Sequence, residues 1–151
     1  MQAQLNLDEY FIDELVIRKT INYDKEKPIT GDYFIDFDIL RHDKNPLLFK
    51  LSMFIEFNKN DDNAPYYILL KLNGFFSYAD GTDDDYIKKT IALNAPSILY
   101  GVARGIVAQV TGNCEYGKFI LPAVNFVEIV KRKSEVKKLK KTTKKKEIKG
   151  L

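Results

Sequence analysis

The sequence predicts an α+β fold in which a block of strands precedes two helices. Three observations predict it. Apolar and polar residues alternate through several long runs before residue 80, the period of a strand with one buried face. After Tyr78 the spacing of apolar residues lengthens to that of a helix. Pro28, Pro46, Pro65, Pro96 and Pro122 lie outside the strongest periodic runs, where they punctuate elements.

A first strand spans about 5–19, and its alternation slips near Glu14, which predicts a bulge or bend there. Over 33–40, Tyr33, Ile35, Phe37 and Ile39 face one way, with Asp36 and Asp38 opposite. Over 47–57, Leu47, Phe49, Leu51, Met53, Ile55 and Phe57 share a side, against Lys50, Ser52 and Glu56. Over 66–78, Tyr66, Ile68, Leu70, Leu72 and Phe76 share a face. The polar run 58–63 joins the last two strands as a hairpin loop. The second faces are not clean: Phe34, Leu40, Leu48, Phe54, Tyr67, Leu69 and Phe75 sit among the polar positions. Either another element covers that face, or it meets a partner or a client.

Asp80-Gly81-Thr82-Asp83-Asp84-Asp85 reads as a loop and helix start. It is no calcium loop, because its sixth position is Asp85 rather than Gly and its twelfth is Ile91 rather than Glu. The main helix is expected to open at Asn94-Ala95-Pro96, with Asn94 as N-cap and Pro96 in the first turn. Its apolar stripe is Leu99, Val102, Ile106 and Val110, and it ends near Thr111-Gly112-Asn113. Gly101 and Gly105 lie on another side, each costing about 1 kcal/mol relative to Ala. Either close approach by another helix, from a second subunit, or toleration of glycine beneath a packed aromatic accounts for them. A final amphipathic helix spans about 125–132.

Charge divides the chain unequally. Residues 131–151 hold eleven Lys and Arg against Glu135 and Glu147, whereas residues 1–130 hold thirteen basic and nineteen acidic residues. An acidic body, 1–133, thus carries a basic tail, 134–151. The tail's sparse apolar content cannot offset the entropy of ordering, so it reads as disordered. A solubilising role is the simple reading; the alternative is nucleic-acid binding, nonspecific because the tail lacks aromatics for base stacking. The N-terminal Met1-Gln2-Ala3-Gln4 shows no signal-peptide pattern, and the longest uncharged stretch, 90–103, is short for a membrane span and holds Pro96. A cytoplasmic protein without membrane insertion is expected.

No catalytic chemistry stands out. The only cysteine, Cys114, and the only histidine, His42, fall on different elements, which leaves no disulfide framework, Cys-based zinc site or evident triad. There is no glycine-rich phosphate loop and no nucleophile elbow. No catalytic residue, metal or cofactor is expected, and a non-enzymatic binding protein is the leading class.

Three segments, Asn73–Tyr78, Asn94–Gly105 and Phe119–Phe126, in their order and spacing resemble the SecB family of export chaperones over roughly residues 5–133. Asn73-Gly74-Phe75-Phe76-Ser77-Tyr78 is similar to the family's Gly-Gly-Ile-Phe-Ser-Ile ending of the fourth strand. The run from Asn94-Ala95-Pro96 to Arg104-Gly105 is similar to its Cys-Pro-Asn-Ile-Leu-Phe-Pro-Tyr-Ala-Arg-Glu helix start. Phe119-Ile120-Leu121-Pro122-Ala123-Val124-Asn125-Phe126 is similar to its Leu-Asn-Leu-Ala-Pro-Val-Asn-Phe segment. The resemblance implies a four-stranded antiparallel sheet with two helices on one face. It also implies a homotetramer, a dimer of dimers, with Tyr100, Gly101, Arg104, Gly105 and Ala108 at an oligomer interface. It implies ATP-independent holding of unfolded polypeptides in apolar grooves, for which Tyr33, Phe54, Tyr67, Phe75, Leu121 and Phe126 are the candidates. Asp13 or Glu14 matches one of the family's SecA contacts. Arg18 and Leu69 replace two other acids, and a lysine run replaces the family's tail, which argues against SecA docking. A dedicated client, such as the antitoxin of a toxin–antitoxin–chaperone module, is the variant reading.

Overall fold

The computed structural model describes residues 4–29 and 31–149; Met1–Ala3, Thr30 and the last two residues of the basic tail lie outside the described residues. Four strands, β1 (Leu5–Lys19), β2 (Tyr33–Arg41), β3 (Leu48–Phe57) and β4 (Tyr66–Tyr78), form one antiparallel sheet in the order β1-β4-β3-β2. Two hairpins link β2 to β3 and β3 to β4, and the connection between Lys19 and Tyr33 carries the chain from β1 at one edge to β2 at the other. β1 shifts register against β4 twice, between Leu7 and Glu9 and between Ile12 and Glu14. The second shift is the bulge expected beside Glu14. The first is hidden in the sequence, because Asp8 and Glu9 are both polar and leave no mark on an apolar alternation.

One face of the sheet forms the core. Ile35, Leu51, Ile55, Ile68, Leu70 and Leu72 are essentially inaccessible there, under helix α1 (Asp84–Thr111) and the start of helix α2 (Phe126–Lys149). The α+β architecture, with both helices on one face of a four-stranded antiparallel sheet, is the one the sequence implies.

α1 starts within the helix-start run Asp80–Asp85 and continues through the separate opening expected at Asn94. It opens at Asp84, not at Asn94: the Asp83 carboxylate accepts from the Tyr86 amide, and Asp84 and Asp85 occupy the first turn. Pro96 is therefore inside a helix rather than at its beginning. It cannot donate to the Ala92 carbonyl, a loss that ordinarily costs about 3 kcal/mol. Burial of its ring against the core offsets part of that cost. Because Pro96 does not interrupt it, α1 is long and apolar enough to cross a membrane by length and composition alone. Here it packs its apolar side on the sheet instead.

The buried side of α1 also differs from the expected stripe. It runs Leu99, Ala103 and Val107, a strict four-residue spacing, with Tyr100 beside it. Val102 and Ile106 are half-buried and Val110 is exposed. The close approach of helix to sheet depends on Gly74: a Cβ at that position would lie 2.8 Å from the Phe76 ring and 3.1 Å from Leu99. Nothing lies within 4 Å of a Cβ built on Gly101 or Gly105.

α2 runs on past Arg132 to Lys149, beyond the helix end expected near Arg132. Lysine is a good helix former, and no Gly or Pro interrupts the run. The helix is also tied to the sheet edge, where the Lys133 ammonium bonds the Phe37 carbonyl and pairs with Asp36 at 2.5 Å.

Candidate functional site

The sheet face turned away from the helices carries the apolar groups that alternation leaves unexplained. Its register sets four rows across the sheet: Val16–Leu69–Glu56–Phe34, Glu14–Lys71–Phe54–Asp36, Phe11–Asn73–Ser52–Asp38 and Glu9–Phe75–Lys50–Leu40. No described element covers these rows. Phe34 is 51% exposed, Phe11 54% and Leu40 65%.

The rings on this face meet in two clusters. Phe11 and Phe75 pack edge-on with centroids 6.1 Å apart, and Phe34 meets Phe54 at 6.0 Å. Between them runs a polar seam, in which the Ser52 hydroxyl donates to Asn73 Oδ1 at 2.7 Å and Asn73 Nδ2 donates to Asp13 at 2.5 Å. Cationic heads lie over the rings: the Arg18 guanidinium over Tyr67, the Lys50 ammonium over Phe75 and the Lys71 ammonium over Phe54. The Tyr67 phenol donates to Glu56 at 2.6 Å, and that bond, with burial, holds its pKa above the ordinary value. The result is a broad surface of aromatic faces with adaptable polar neighbours, suited to apolar chain segments rather than to one rigid ligand.

A second feature adjoins it. Beyond the β2 edge, α2 leaves a groove of about 450 Å³ between Phe34, Ile35 and Asp36 on one side and Arg132, Val136, Lys137 and Lys140 on the other. Phe34 belongs to both the groove and the outer face, so the two are continuous.

On the helix side, the crossover segment 112–125 is held closed. Tyr100 donates to the Pro122 carbonyl at 2.5 Å, Arg104 Nε to the Leu121 carbonyl at 2.9 Å, and Tyr66 to the Gly117 carbonyl at 2.8 Å. Burial pushes the Tyr100 phenol strongly upward in pKa. Thr111 Oγ1, fully buried, accepts from the Phe119 amide while donating to Val107. Among the described residues no group of three or more His, Cys, Asp or Glu could hold a metal ion.

Residues 18–137 match the family model described as preprotein translocase subunit SecB. The chain belongs to the SecB family. A curated SecB relative, the protein-export protein of Rhodospirillum centenum, is 30% identical over 82 residues, 54% of this chain and 48% of that protein. The chain's match thus spans about half the length of that relative. Among solved structures, a Mycobacterium tuberculosis SecB-like chaperone in complex with an antitoxin peptide superposes with a TM-score of 0.61 at 12% identity, over 81% of this chain and 91% of that one. That likeness shows the SecB-like fold. A Streptococcus agalactiae protein of unknown function aligns with a TM-score of 0.44 at 12% identity, over 80% of this chain and 97% of that one.

Against this SecB fold, the six groove residues expected from the sequence fall at three places. Phe54, Tyr67 and Phe75 lie on the outer face. Leu121 and Phe126 are buried on the helix side, Phe126 against Phe37 and Tyr100. Tyr33 is at the sheet's end, half exposed and stacked on Phe57 at 5.3 Å. Of the interface candidates, Gly101 and Gly105 are exposed and Ala108 half-buried, whereas Tyr100 and Arg104 bond the crossover segment of their own chain. Asp13 sits at the β1 bulge bonded to Asn73, and Glu14 pairs with Lys71 at 3.2 Å.

Sequence reasoning misses Phe11 as a site residue because the two β1 bulges break its alternation. Phe34 and Leu40 are visible in the sequence as misplaced apolar residues, but only the strand order shows that no described element covers them. Val136 escapes notice because it lies in the segment whose composition reads as disordered.

Proposed function

We propose that this SecB-family protein is a chaperone that holds non-native polypeptide on the outer face of its sheet, without nucleotide and without catalysis. One observation carries the proposal: Phe11, Phe34, Leu40 and Phe75 stay exposed on a face that no described element covers. Exposed apolar groups in contiguous rows mark an interaction surface in a stable domain. Phe11 and Phe75 pack against each other, Phe34 packs against Phe54, and the Lys50 ammonium lies over Phe75, so these rings keep some packing while empty. Phe54 and Tyr67 extend the same surface. In this reading Leu121 and Phe126 support the site from the helix side rather than touch the client. Export substrates and a dedicated client, such as an antitoxin, both fit this surface, and the cytoplasm is where either would be met.

The exposed side of α1 supports oligomer formation. Gly101 and Gly105 lie open there beside exposed Ile98 and half-buried Val102 and Ile106. A second copy's helix seated on that side would explain two glycines that no neighbour in their own chain requires. The SecB family suggests a dimer of dimers. A docked SecA is the weaker partner, since Asp13 and Glu14 are already paired and Arg18 and Leu69 stand where acids are expected.

The test is suppression of aggregation of a slowly refolding protein, followed by light scattering with and without ATP, with the chaperone sized in the same samples. The proposal expects suppression at near-stoichiometric ratios, indifferent to ATP, by an oligomer that Gly105→Leu dissociates. A chain that leaves aggregation unchanged would overturn it.

A further inference from the structure

We infer that the groove between the β2 edge and α2 selects client segments in which apolar residues are flanked by Asp and Glu. The inference rests on the chaperone reading and assigns that reading a client class. The groove's floor is apolar, formed by Phe34 and Val136, which is 45% exposed. Its rim is cationic, formed by Arg132, Lys137 and Lys140.

The rim charges are available. Lys133 spends its charge within the chain, on Asp36 at 2.5 Å and Asp38 at 3.9 Å, and it bonds the Phe37 carbonyl. Among the described residues, no carboxylate pairs with Arg132, Lys137 or Lys140. Three uncompensated cations along one side of an apolar channel attract a chain that supplies carboxylates on either side of its apolar residues, and they repel one that supplies lysines. Each exposed pair contributes little on its own, but three acting together on one segment give a preference of about tenfold.

The remainder of the body has the opposite bias, with nineteen acidic against thirteen basic residues before position 131. An acidic segment is therefore directed to the α2 side of the molecule and away from the rest. The apolar floor distinguishes this groove from a general polyanion surface, because a phosphate backbone makes no use of Phe34 or Val136. Since Phe34 also packs against Phe54, a segment seated in the groove leads directly onto the outer face.

Three fluorescent peptides test the inference. They share one apolar and aromatic core and differ in their flanks: Asp and Glu, Ser and Gln, or Lys. Affinity is read by anisotropy with the full chain at two salt concentrations. The acidic-flanked peptide should bind about tenfold more tightly than the neutral one and lose that advantage in high salt. The Lys-flanked peptide should bind most weakly. Replacing Arg132, Lys137 and Lys140 together by Gln, a good helix former, should erase the differences between the three peptides. Phe34→Ser with Val136→Ser should weaken all three peptides.

Equal affinities for the three peptides would overturn the charge selection while leaving the chaperone reading standing. Absence of binding by any peptide, in a chain that also fails to suppress aggregation, would remove both. Oligo-aspartate or single-stranded RNA binding as tightly as the acidic-flanked peptide would also overturn the inference, because the apolar floor would then play no part.

Discussion

The two faces of the sheet are both rich in large apolar side chains, yet only one is sealed. On the helix side, Leu51, Ile55, Ile68 and Leu70 are essentially inaccessible, and Tyr100, Arg104 and Tyr66 bond the crossover segment down over that face. On the outer side, Phe34, Leu40 and Phe75 remain in contact with solvent, interleaved with Lys50, Lys71, Ser52 and Asn73. The difference teaches what each face is for. A sealed face converts apolar area into stability, at roughly 25 cal/mol per Å² removed from water. An open face keeps that area for a later partner, and the interleaved polar groups keep it soluble until then.

Substitutions on the sealed face should break the molecule, and those on the open face should break only its binding. The largest effect is expected from Leu99→Ala, which leaves a cavity where α1 meets the sheet and should cost about 2–5 kcal/mol in denaturant unfolding. Gly74→Ala should follow at about 1–3 kcal/mol, because the added Cβ would press on the Phe76 ring and on Leu99. Unchanged stability in this variant would mean that helix and sheet do not approach so closely.

Tyr100→Phe should cost about 1–2 kcal/mol by leaving the Pro122 carbonyl without its donor. The same residue predicts a pH dependence. Burial raises the Tyr100 pKa in the folded state, so its contribution is complete below the unfolded phenol value, near 10, and is lost as pH rises through the higher folded value. Wild-type stability should therefore decline above about pH 10, and the decline should be shallower in Tyr100→Phe. Thermal melts between pH 8 and 11 would show it.

The smallest effect is expected at Asp84, where hydrogen bonds from Arg41 and Lys88 lower the carboxyl pKa. A depressed pKa gives stability that is present above the unfolded value, near pH 4, and lost as pH falls through the folded one. Asp84→Asn should shift the melting temperature slightly at pH 7 and leave it unchanged at pH 2. An equal shift at both pH values would show that the pair contributes nothing through charge.

The same contrast explains what is legible in the sequence. Alternation places β2, β3 and β4 almost to the residue, because their inner faces are uninterrupted apolar rows such as Phe49, Leu51, Met53, Ile55 and Phe57. It also marks Phe34, Phe54 and Phe75 as out of place, but whether an element covers them is a matter of topology, which a local pattern does not contain. The acids of Asp80–Asp85 mark the helix start, but sequence reasoning opens a separate main helix at Asn94 because Pro96 mimics an opening, and only tertiary burial shows how a proline is carried in its interior. The buried side of α1 is misjudged at Val102, Ile106 and Val110 because that helix is apolar nearly all round, which fits a helix facing the sheet on one side and, in the proposed oligomer, another copy on the other. Composition alone argues against order after Arg132, whereas helix propensity and the Lys133 anchor support it.

The measurement that tests the account most directly is the affinity of the full chain for an unfolded client, compared with a variant carrying Phe34→Ser, Phe54→Ser and Phe75→Ser, with both proteins melted in the same buffer. Affinity should fall at least tenfold while the melting temperature moves by only a few degrees, because the open face holds clients and contributes little to the fold. Undiminished affinity in a folded variant would contradict the account and turn attention to the helix side.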